Sequence, residues 1–214
     1  MRPSCVLFDL DGTLIDHFKA IHRCHAYAMQ QLGLPAPTMA EVRAAVGAGI
    51  EVAVERLVGK QLAPAALAIY RPHWDATMLD DVQLLPGAKE LLVSLRSRGI
   101  RTAVFTNKHG PSSRLTCAHL GLAELLDGNF GATDTPWLKP DPQFARHALT
   151  ALGMAAATTL LVGDSPYDFQ AARNAGLGFI GVTTGTHTAA ELKSAGADRI
   201  CADLFGVTRE LGLI

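Results

Sequence analysis

The sequence predicts an α/β fold, an open parallel sheet with helices on both faces. Short apolar runs at residues 5–8, 101–105 and 159–162 each end in polar residues, which is typical of buried parallel strands. Between these runs, apolar residues recur at the spacing of one helix face. This alternation of strands and helices implies right-handed crossovers. The helical positions are Ala88, Leu91, Leu92 and Leu95, then Phe144, Ala148, Leu149 and Leu152. Further strands are expected at residues 178–182, at 199–202 as an edge strand, and more weakly at 128–133.

Residues 16–81 interrupt this alternation. They contain helical spacing and short helices separated by Gly and Pro, without a strand candidate. The alternating pattern resumes at Pro86 and Gly87. We therefore predict a discontinuous core domain, residues 1–15 and 82–214, and a small helical cap domain, residues 16–81.

Composition limits the partners of the chain. Its 214 residues are 49% hydrophobic and 18% charged, which supports a buried core and excludes a disordered chain. Nineteen Lys and Arg balance 20 Asp and Glu, so no net field attracts nucleic acid or an anionic membrane. Four scattered cysteines, no signal peptide and no span long enough for a bilayer indicate a reduced, cytoplasmic protein. Both a monomer and a homodimer are compatible with these observations.

Two carboxylates follow the first predicted strand. Asp9 and Asp11 are one residue apart and enter a turn at Gly12, so they can converge at the edge of the sheet where ligands bind. Like charges about 4 Å apart repel by roughly 4 kcal/mol at an effective dielectric constant of 20, so a cation or a proton should accompany them. Oxygen ligands of this kind suit Mg2+. The alternative is that both residues only end a strand and stabilise a turn.

A third carboxylate lies at the end of another buried strand. Asp164 is followed by Ser165 as a helix N-cap and by Pro166 at the first helical position, so we predict Asp164 as a metal ligand. Asp168 has two interpretations. Its spacing from Ser165 is that of a capping box, but it could also support or bind the metal.

Polar groups that suit a phosphate follow the remaining strand. Thr106 and Asn107 precede a helix start marked by Gly110 and Pro111, and such a start presents free N–H groups. Lys139 precedes another predicted helix and could offset the charge of a phosphoryl oxygen. The alternatives are ordinary turn residues for Thr106 and Asn107, and a solvated surface charge for Lys139.

These motifs resemble, in order, the four signatures of the haloacid dehalogenase superfamily. They are Asp-x-Asp-Gly-Thr, Thr-Asn, Lys-Pro and Gly-Asp-Ser-x-x-Asp, and the resemblance is strongest over residues 5–16, 85–110 and 138–182. Thr-Asn-Lys at 106–108 and Gly-Asp-Ser at 163–165 most resemble the phosphoglycolate phosphatase-like branch. The resemblance implies a Rossmann-like core with an inserted cap.

The resemblance also implies a Mg2+-dependent phosphatase for a small-metabolite phosphomonoester, with 2-phosphoglycolate the leading substrate. Asp9 would form an aspartyl-phosphate, and Asp11 would protonate the leaving oxygen and later activate water. The implied metal ligands are the Asp9 side chain, the Asp11 backbone carbonyl and Asp164, with Asp168 as an alternative. The implied phosphate-binding groups are Thr106, the Asn107 amide and Lys139.

Other activities stay open. A phosphatase for nucleotides, sugar phosphates or pyrophosphate is compatible with the same motifs. Sugar phosphomutases of the β-phosphoglucomutase type typically carry Glu-Asp where this chain has Gly163 and Asp164. A dehalogenase usually lacks an acid at the position of Asp11, and a phosphate-sensing module would be expected to have lost Asp9 or Lys139.

Within the insertion, residues 43–50 are a candidate substrate loop. Arg43 could pair with a substrate carboxylate, and Gly47 and Gly49 would let the loop close over the leaving group. The alternative is a simple helix-helix turn with Arg43 in solvent.

His17, His22 and His25 share one predicted helix, but no further ligand accompanies them, so we do not expect a metal there. His17 stands near the predicted cap hinge, where relatives often have Ser.

Overall fold

A computed structural model describes residues 3–213 as an α/β protein. Its six-stranded sheet has the order β5-β4-β1-β6-β7-β8, and every neighbouring pair is parallel. The predicted fold class is therefore confirmed. The strands are β1 (Cys5–Phe8), β2 (Ile15–Asp16), β3 (Gln83–Leu84), β4 (Arg101–His109), β5 (Gly128–Ala132), β6 (Thr159–Gly163), β7 (Gly178–Val182) and β8 (Ile200–Cys201).

Strand β1 is central, and its side chains divide between two hydrophobic cores. Val6 and Phe8 belong to one core, whereas Cys5 and Leu7 belong to the other. This division follows from the two-residue period of a strand. Because all four residues are buried, the sequence of β1 is a continuous apolar run and does not alternate with polar residues.

Ten α-helices accompany the strands within residues 3–213. They are α1 (Phe18–Gln31), α2 (Met39–Ala45), α3 (Ile50–Val58), α4 (Ala63–Thr77), α5 (Ala88–Ser97), α6 (Gly110–His119), α7 (Pro142–Leu152), α8 (Pro166–Ala175), α9 (Ala189–Ala195) and α10 (Leu204–Glu210). Helices α5 and α10 cover one face of the sheet, and α7, α8 and α9 cover the other. None of the helices in this part of the chain is long and apolar enough to span a bilayer.

Helices α1 to α4 pack mainly on one another. Phe18 and Ile21 of α1 share a buried cluster with Tyr70 and Trp74 of α4, separate from the two cores of the sheet. A smaller cluster around Val54 joins α3 to α4. This arrangement suits the cap domain predicted at residues 16–81, and the division of the chain into two domains stays our proposal.

Two short antiparallel strands, β2 and β3, pair where the chain enters and leaves the helical insertion. We call these two places the crossings between the insertion and the sheet. Ile15 of β2 pairs with Leu84 of β3, and Asp16 pairs with Gln83. The sequence did not predict this pair, because two residues are too few to show a two-residue period.

Strand β4 continues beyond the predicted end at residue 105. Its pairing with β5 passes from Phe105 opposite Phe130 to His109 opposite Ala132, with an irregular register between them. Thr106 and Asn107 therefore lie on a distorted strand end and not in a free turn. Irregular strand ends of this kind commonly direct side chains into a site.

Candidate active site

The predicted site residues meet at the carboxyl edge of the sheet. Asp9 follows β1, Thr106 lies near the end of β4, and Asp164 follows β6. Because β1 lies between β4 and β6 and all three strands are parallel, their carboxyl ends are neighbours. This edge is where ligands bind in open α/β sheets.

Lys139 links two of the aspartates. Its Nζ atom lies 2.8 Å from Asp9 Oδ1 and 2.6 Å from Asp168 Oδ1, and the lysine side chain is 2% exposed. Although burial opposes a charged amine, the carboxylates of Asp168 and Asp9 raise the pKa of Lys139 above its usual range. Lys139 is therefore a fixed, ion-paired cation and not a solvated surface charge.

Asp164 is held by three hydrogen-bond donors. Its Oδ2 accepts from the backbone N–H of Thr186 at 2.8 Å and from the Thr186 hydroxyl at 3.1 Å, and its Oδ1 accepts from Thr13 Oγ1 at 3.1 Å. The backbone at Gly185 packs directly on this carboxylate, and a Cβ atom there would overlap Asp164 Oδ2. Asp164 is thus fixed in one orientation.

Three carboxylates can hold a metal ion at this edge. One oxygen from each of Asp9, Asp164 and Asp168 lies within 4.8 Å of the other two. Burial and the neighbouring carboxylates raise the pKa values of Asp9 and Asp164, so a cation would relieve unfavourable charge. This donor set of hard oxygens fits a divalent cation.

Asp168 forms the predicted capping box, and its role toward a metal stays a prediction. Its Oδ2 accepts from the Ser165 backbone N–H at 3.1 Å and from the Ser165 hydroxyl at 2.6 Å, which completes a capping box on α8. Its other oxygen, Oδ1, contacts Lys139. The same carboxylate therefore caps a helix, anchors Lys139 and belongs to the three-carboxylate cluster.

Asp11 points to a different set of partners. Lys108 Nζ lies 3.1 Å from Asp11 Oδ1 and 3.0 Å from Oδ2, and His17 Nδ1 lies 3.4 Å from Oδ1. Burial alone would raise the pKa of Asp11, but the charge of Lys108 lowers it well below its usual range. The Asp11 side chain is not a member of the three-carboxylate cluster.

The sequence reasoning assigned no role to Lys108. Lys108 lies on the part of β4 where the pairing with β5 is irregular, so strand alternation does not indicate where its side chain points. The side chain of Asn107 forms hydrogen bonds with backbone groups of Lys139 and Gly47. Its Oδ1 accepts from Lys139 N at 2.8 Å, and its Nδ2 donates to the carbonyls of Gly47 at 3.0 Å and Lys139 at 3.1 Å.

A family model covers most of the chain. The family model described as haloacid dehalogenase-like hydrolase matches residues 6–182. The chain belongs to this family.

Relatives of the haloacid dehalogenase-like hydrolase extend the match to nearly the whole chain. It is 34% identical to the probable phosphatase IndB of Dickeya dadantii over 96% of this chain and 91% of the relative. It is 31% identical to a phosphoglycolate phosphatase of Yersinia pseudotuberculosis over 97% and 93%, respectively. A crystal structure of a predicted phosphatase from Clostridium acetobutylicum has 26% identity, a TM-score of 0.91 and full coverage of both chains. The chain is a phosphoric monoester hydrolase of the haloacid dehalogenase type.

A cavity of about 320 Å3 in this hydrolase joins the carboxylates to the helical insertion. Asp9, Asp11 and Asp164 line one side, and Thr106 and Asn107 lie beside them. The opposite side comes from the insertion, and its lining includes Ile21, His25, Gly47, Gly49, Tyr70 and Trp74. The cavity therefore lies between the carboxylates and the helical insertion.

Arg43 of the hydrolase does not reach this cavity. Its Nη1 donates to the carbonyl of Gly185 at 3.1 Å, and its guanidinium lies 4.0 Å from the centre of the Phe18 ring. The structure thus brings Gly47 and Gly49 to the site and places Arg43 as a link between the insertion and the loop beside Asp164.

The three histidines of α1 and its N-cap have separate partners. His17 Nε2 contacts the Met78 carbonyl, His22 Nε2 contacts the Pro37 carbonyl, and His25 packs on Tyr70. Within residues 3–213, these histidines form no group that could hold a metal ion.

Proposed function

We propose that the protein is a Mg2+-dependent phosphomonoesterase that acts through an aspartyl-phosphate on Asp9. The observation that carries the proposal is the position of Asp9, whose Oδ1 lies 2.8 Å from Lys139 Nζ and whose carboxylate lies beside those of Asp164 and Asp168. A carboxylate held beside a fixed cation at the edge of a cavity can act as a nucleophile.

In the first step, an Asp9 carboxylate oxygen forms a bond to phosphorus and the ester oxygen leaves. Lys139 holds a fixed positive charge beside the reacting oxygen, and Thr106 lines the same cavity. Asp11 must enter this step protonated, although Lys108 favours its ionised form, and it gives that proton to the leaving oxygen. The product is an acyl phosphate on Asp9 and a free alcohol.

In the second step, water attacks phosphorus and Asp11 takes a proton from it. The bond between Asp9 and phosphorus breaks, which releases inorganic phosphate and restores the Asp9 carboxylate. One residue can thus serve first as acid and then as base. Asp9, Asp164 and the Asp11 backbone carbonyl are the groups that would hold Mg2+. When bound, the ion would shield the anionic nucleophile from the anionic ester.

The substrate class is a small phosphorylated metabolite, because the cavity lies at the lower end of the size range of ligand pockets. The Yersinia relative carries the name phosphoglycolate phosphatase, which makes 2-phosphoglycolate the first ester to assay. Sugar phosphates, nucleotides and pyrophosphate complete the panel. We infer that residues 16–81 act as the cap that closes over the leaving group.

The test is hydrolysis of this panel and of p-nitrophenyl phosphate, with Mg2+ and with a chelator. Wild type should release phosphate only with the metal, and Asp9→Asn should lose about 10³-fold or more in kcat. Normal rates for Asp9→Asn, or for the chelated enzyme, would rule out the mechanism. Absence of p-nitrophenyl phosphate turnover would indicate a sensor, and movement of phosphate between sugar positions would indicate a mutase.

A further inference from the structure

Asp11 is held by a group of side chains that the proposed chemistry does not otherwise use. Lys108 reaches both Asp11 oxygens, at 3.0 and 3.1 Å, and its side chain is only 6% exposed. Two contacts from one ammonium restrict rotation of the carboxyl group. They also require both oxygens to be acceptors, which is the property of an ionised carboxylate.

His17 fixes Lys108 from the other side. Its Nε2 lies 2.5 Å from the Met78 carbonyl, an acceptor, so we assign the ring proton to Nε2. Nδ1 is then an acceptor and receives a hydrogen bond from Lys108 Nζ at 3.2 Å. The 3.4 Å contact between His17 Nδ1 and Asp11 Oδ1 joins two acceptors, and Lys108 supplies the proton to each of them.

Trp74 closes this arrangement. Lys108 Nζ lies 4.6 Å from the centre of the Trp74 ring, and the His17 ring centre lies 4.9 Å from it. Contacts with Asp11 and His17 take up the donors of the ammonium group, and the ring of Trp74 covers it. Lys108 therefore has no free donor for a phosphoryl oxygen, in contrast to the expected role of Lys139.

The same contacts connect Asp11 to both crossings between the sheet and the insertion. His17 is the N-cap of α1, at the first crossing, and Met78 is the C-cap of α4, shortly before the second. The hydrogen bond from His17 to Met78 joins the two. The position of Lys108, and with it the orientation of Asp11, thus depends on how these two segments lie together.

We propose that Lys108 and His17 are positioning residues that hold Asp11 as an oriented carboxylate for the second step, in which it takes a proton from water. This inference rests on the proposed function, because it needs an aspartyl-phosphate to be hydrolysed. It does not make either residue a group that touches the substrate.

The test separates the two steps with p-nitrophenyl phosphate, whose leaving oxygen needs little help from an acid. The value of kcat/KM reports the steps up to release of p-nitrophenolate, whereas kcat also includes hydrolysis of the intermediate. Lys108→Met should lower kcat by about 10²-fold and kcat/KM by less than about threefold. A burst of p-nitrophenolate approaching one equivalent per site should precede slow turnover.

His17 variants give a second measurement that does not depend on the fate of Lys108→Met. His17→Phe keeps the ring beside Trp74 but removes both hydrogen bonds, so it should also lower kcat and produce a burst. His17→Gln retains a donor and an acceptor and should recover most of the wild-type kcat. Thermal unfolding of each variant establishes that it is folded.

Several outcomes would overturn the positioning role. An unchanged kcat would do so, as would a fall in kcat/KM as large as the fall in kcat. A weaker competitive inhibition by inorganic phosphate in Lys108→Met would instead make Lys108 a phosphate-binding group. Equal kcat values for His17→Phe and His17→Gln would show that the hydrogen bonds of His17 are not needed.

Asp11→Asn distinguishes failure of this inference from failure of the proposed function. It should show the same loss of kcat and the same burst, and the double variant with Lys108→Met should be no slower, because residues that act as a unit are not additive. If Asp11→Asn shows neither effect, the assigned role of Asp11 is wrong. If Asp11→Asn shows both and Lys108→Met shows neither, only the positioning role is wrong.

Discussion

The ammonium group of Lys139 lies 2.8 Å from Asp9 Oδ1, with the lysine side chain 2% exposed. Its second partner, Asp168, is fully buried. One cation thus pairs with two carboxylates, and a third carboxylate, Asp164, lies nearby. The site carries more negative than positive charge before a metal binds, so each remaining positive group has a large effect on stability.

Replacing Lys139 should therefore destabilise the fold as well as abolish activity. Lys139→Met keeps the length of the side chain but leaves Asp9 and Asp168 without their counter-charge. Loss of one partner of a buried ion pair costs about 3–5 kcal/mol in free energy of unfolding. Urea unfolding at pH 8 in the presence of a chelator measures this loss.

Exposed Lys89 provides the matched control, since Lys89→Met removes an equal charge from the surface. A loss below about 1 kcal/mol for Lys139→Met, the range of surface pairs, would contradict the prediction. Because Asp9 can take up a proton in the variant, the loss should shrink as the pH falls.

His25 should make the stability of the helical insertion sensitive to acid. Its side chain is 2% exposed, its Nε2 has no hydrogen-bond partner in residues 3–213, and its ring packs on Tyr70. Burial, with a smaller effect of His22, lowers the pKa of His25 to about 4 from 6.5. Between pH 6.5 and 4, the unfolded chain therefore binds a proton at His25 that the folded state does not bind. Stability attributable to neutral His25 is complete above pH 6.5 and is lost as the pH falls toward 4.

The variant His25→Phe should remove this acid sensitivity while it keeps the aromatic contact with Tyr70. Wild type should lose more free energy of unfolding than His25→Phe as the pH falls from 7 to 4.5, and the difference between them should grow by about 1–3 kcal/mol. Urea unfolding across this range measures the difference. The same exchange at exposed His119 is the control. An identical pH dependence for wild type and His25→Phe would show that His25 is not responsible.

The sequence predicts the sheet and its carboxylates well because those features are local. The apolar run of β1 ends at Asp9 and that of β6 ends beside Asp164, so chain order alone places both at one edge of a parallel sheet. The capping box of Ser165 and Asp168 is likewise readable from a spacing of three residues.

The remaining features depend on contacts between distant parts of the chain. Lys108 and Asp11 are 97 residues apart, and no local pattern indicates that this lysine turns toward Asp11. The direction of the Arg43 side chain is equally hard to predict from the sequence, because its partner Gly185 lies 142 residues away. Strand β2 is too short for its pattern to show. Where long side chains point depends on packing between the insertion and the sheet, which sequence periodicity does not describe.

Gly185 should be needed for the position of Asp164. It does not have a positive backbone φ, so its requirement for glycine comes from space alone. A Cβ atom at this position would overlap Asp164 Oδ2 and lie 2.8 Å from Asp164 Cβ. In Gly185→Ala the carboxylate must shift away from its bonds to Thr186. Because groups that orient metal ligands typically contribute 10–100-fold, we expect the Mg2+ concentration needed for half-maximal activity to rise by about that factor.

The measurement is p-nitrophenyl phosphate hydrolysis against Mg2+ concentration, with thermal unfolding to verify that the variant is folded. Gly178→Ala is the control, because its Cβ would meet Leu160 Cδ1 at 3.0 Å, the movable end of a side chain. This control should keep the wild-type dependence on Mg2+. Saturating Mg2+ should restore much of the activity of Gly185→Ala if weaker metal binding is the cause. A variant with wild-type Mg2+ dependence would instead show that Asp164 tolerates displacement, and that the loop at Gly185 does not set the metal affinity.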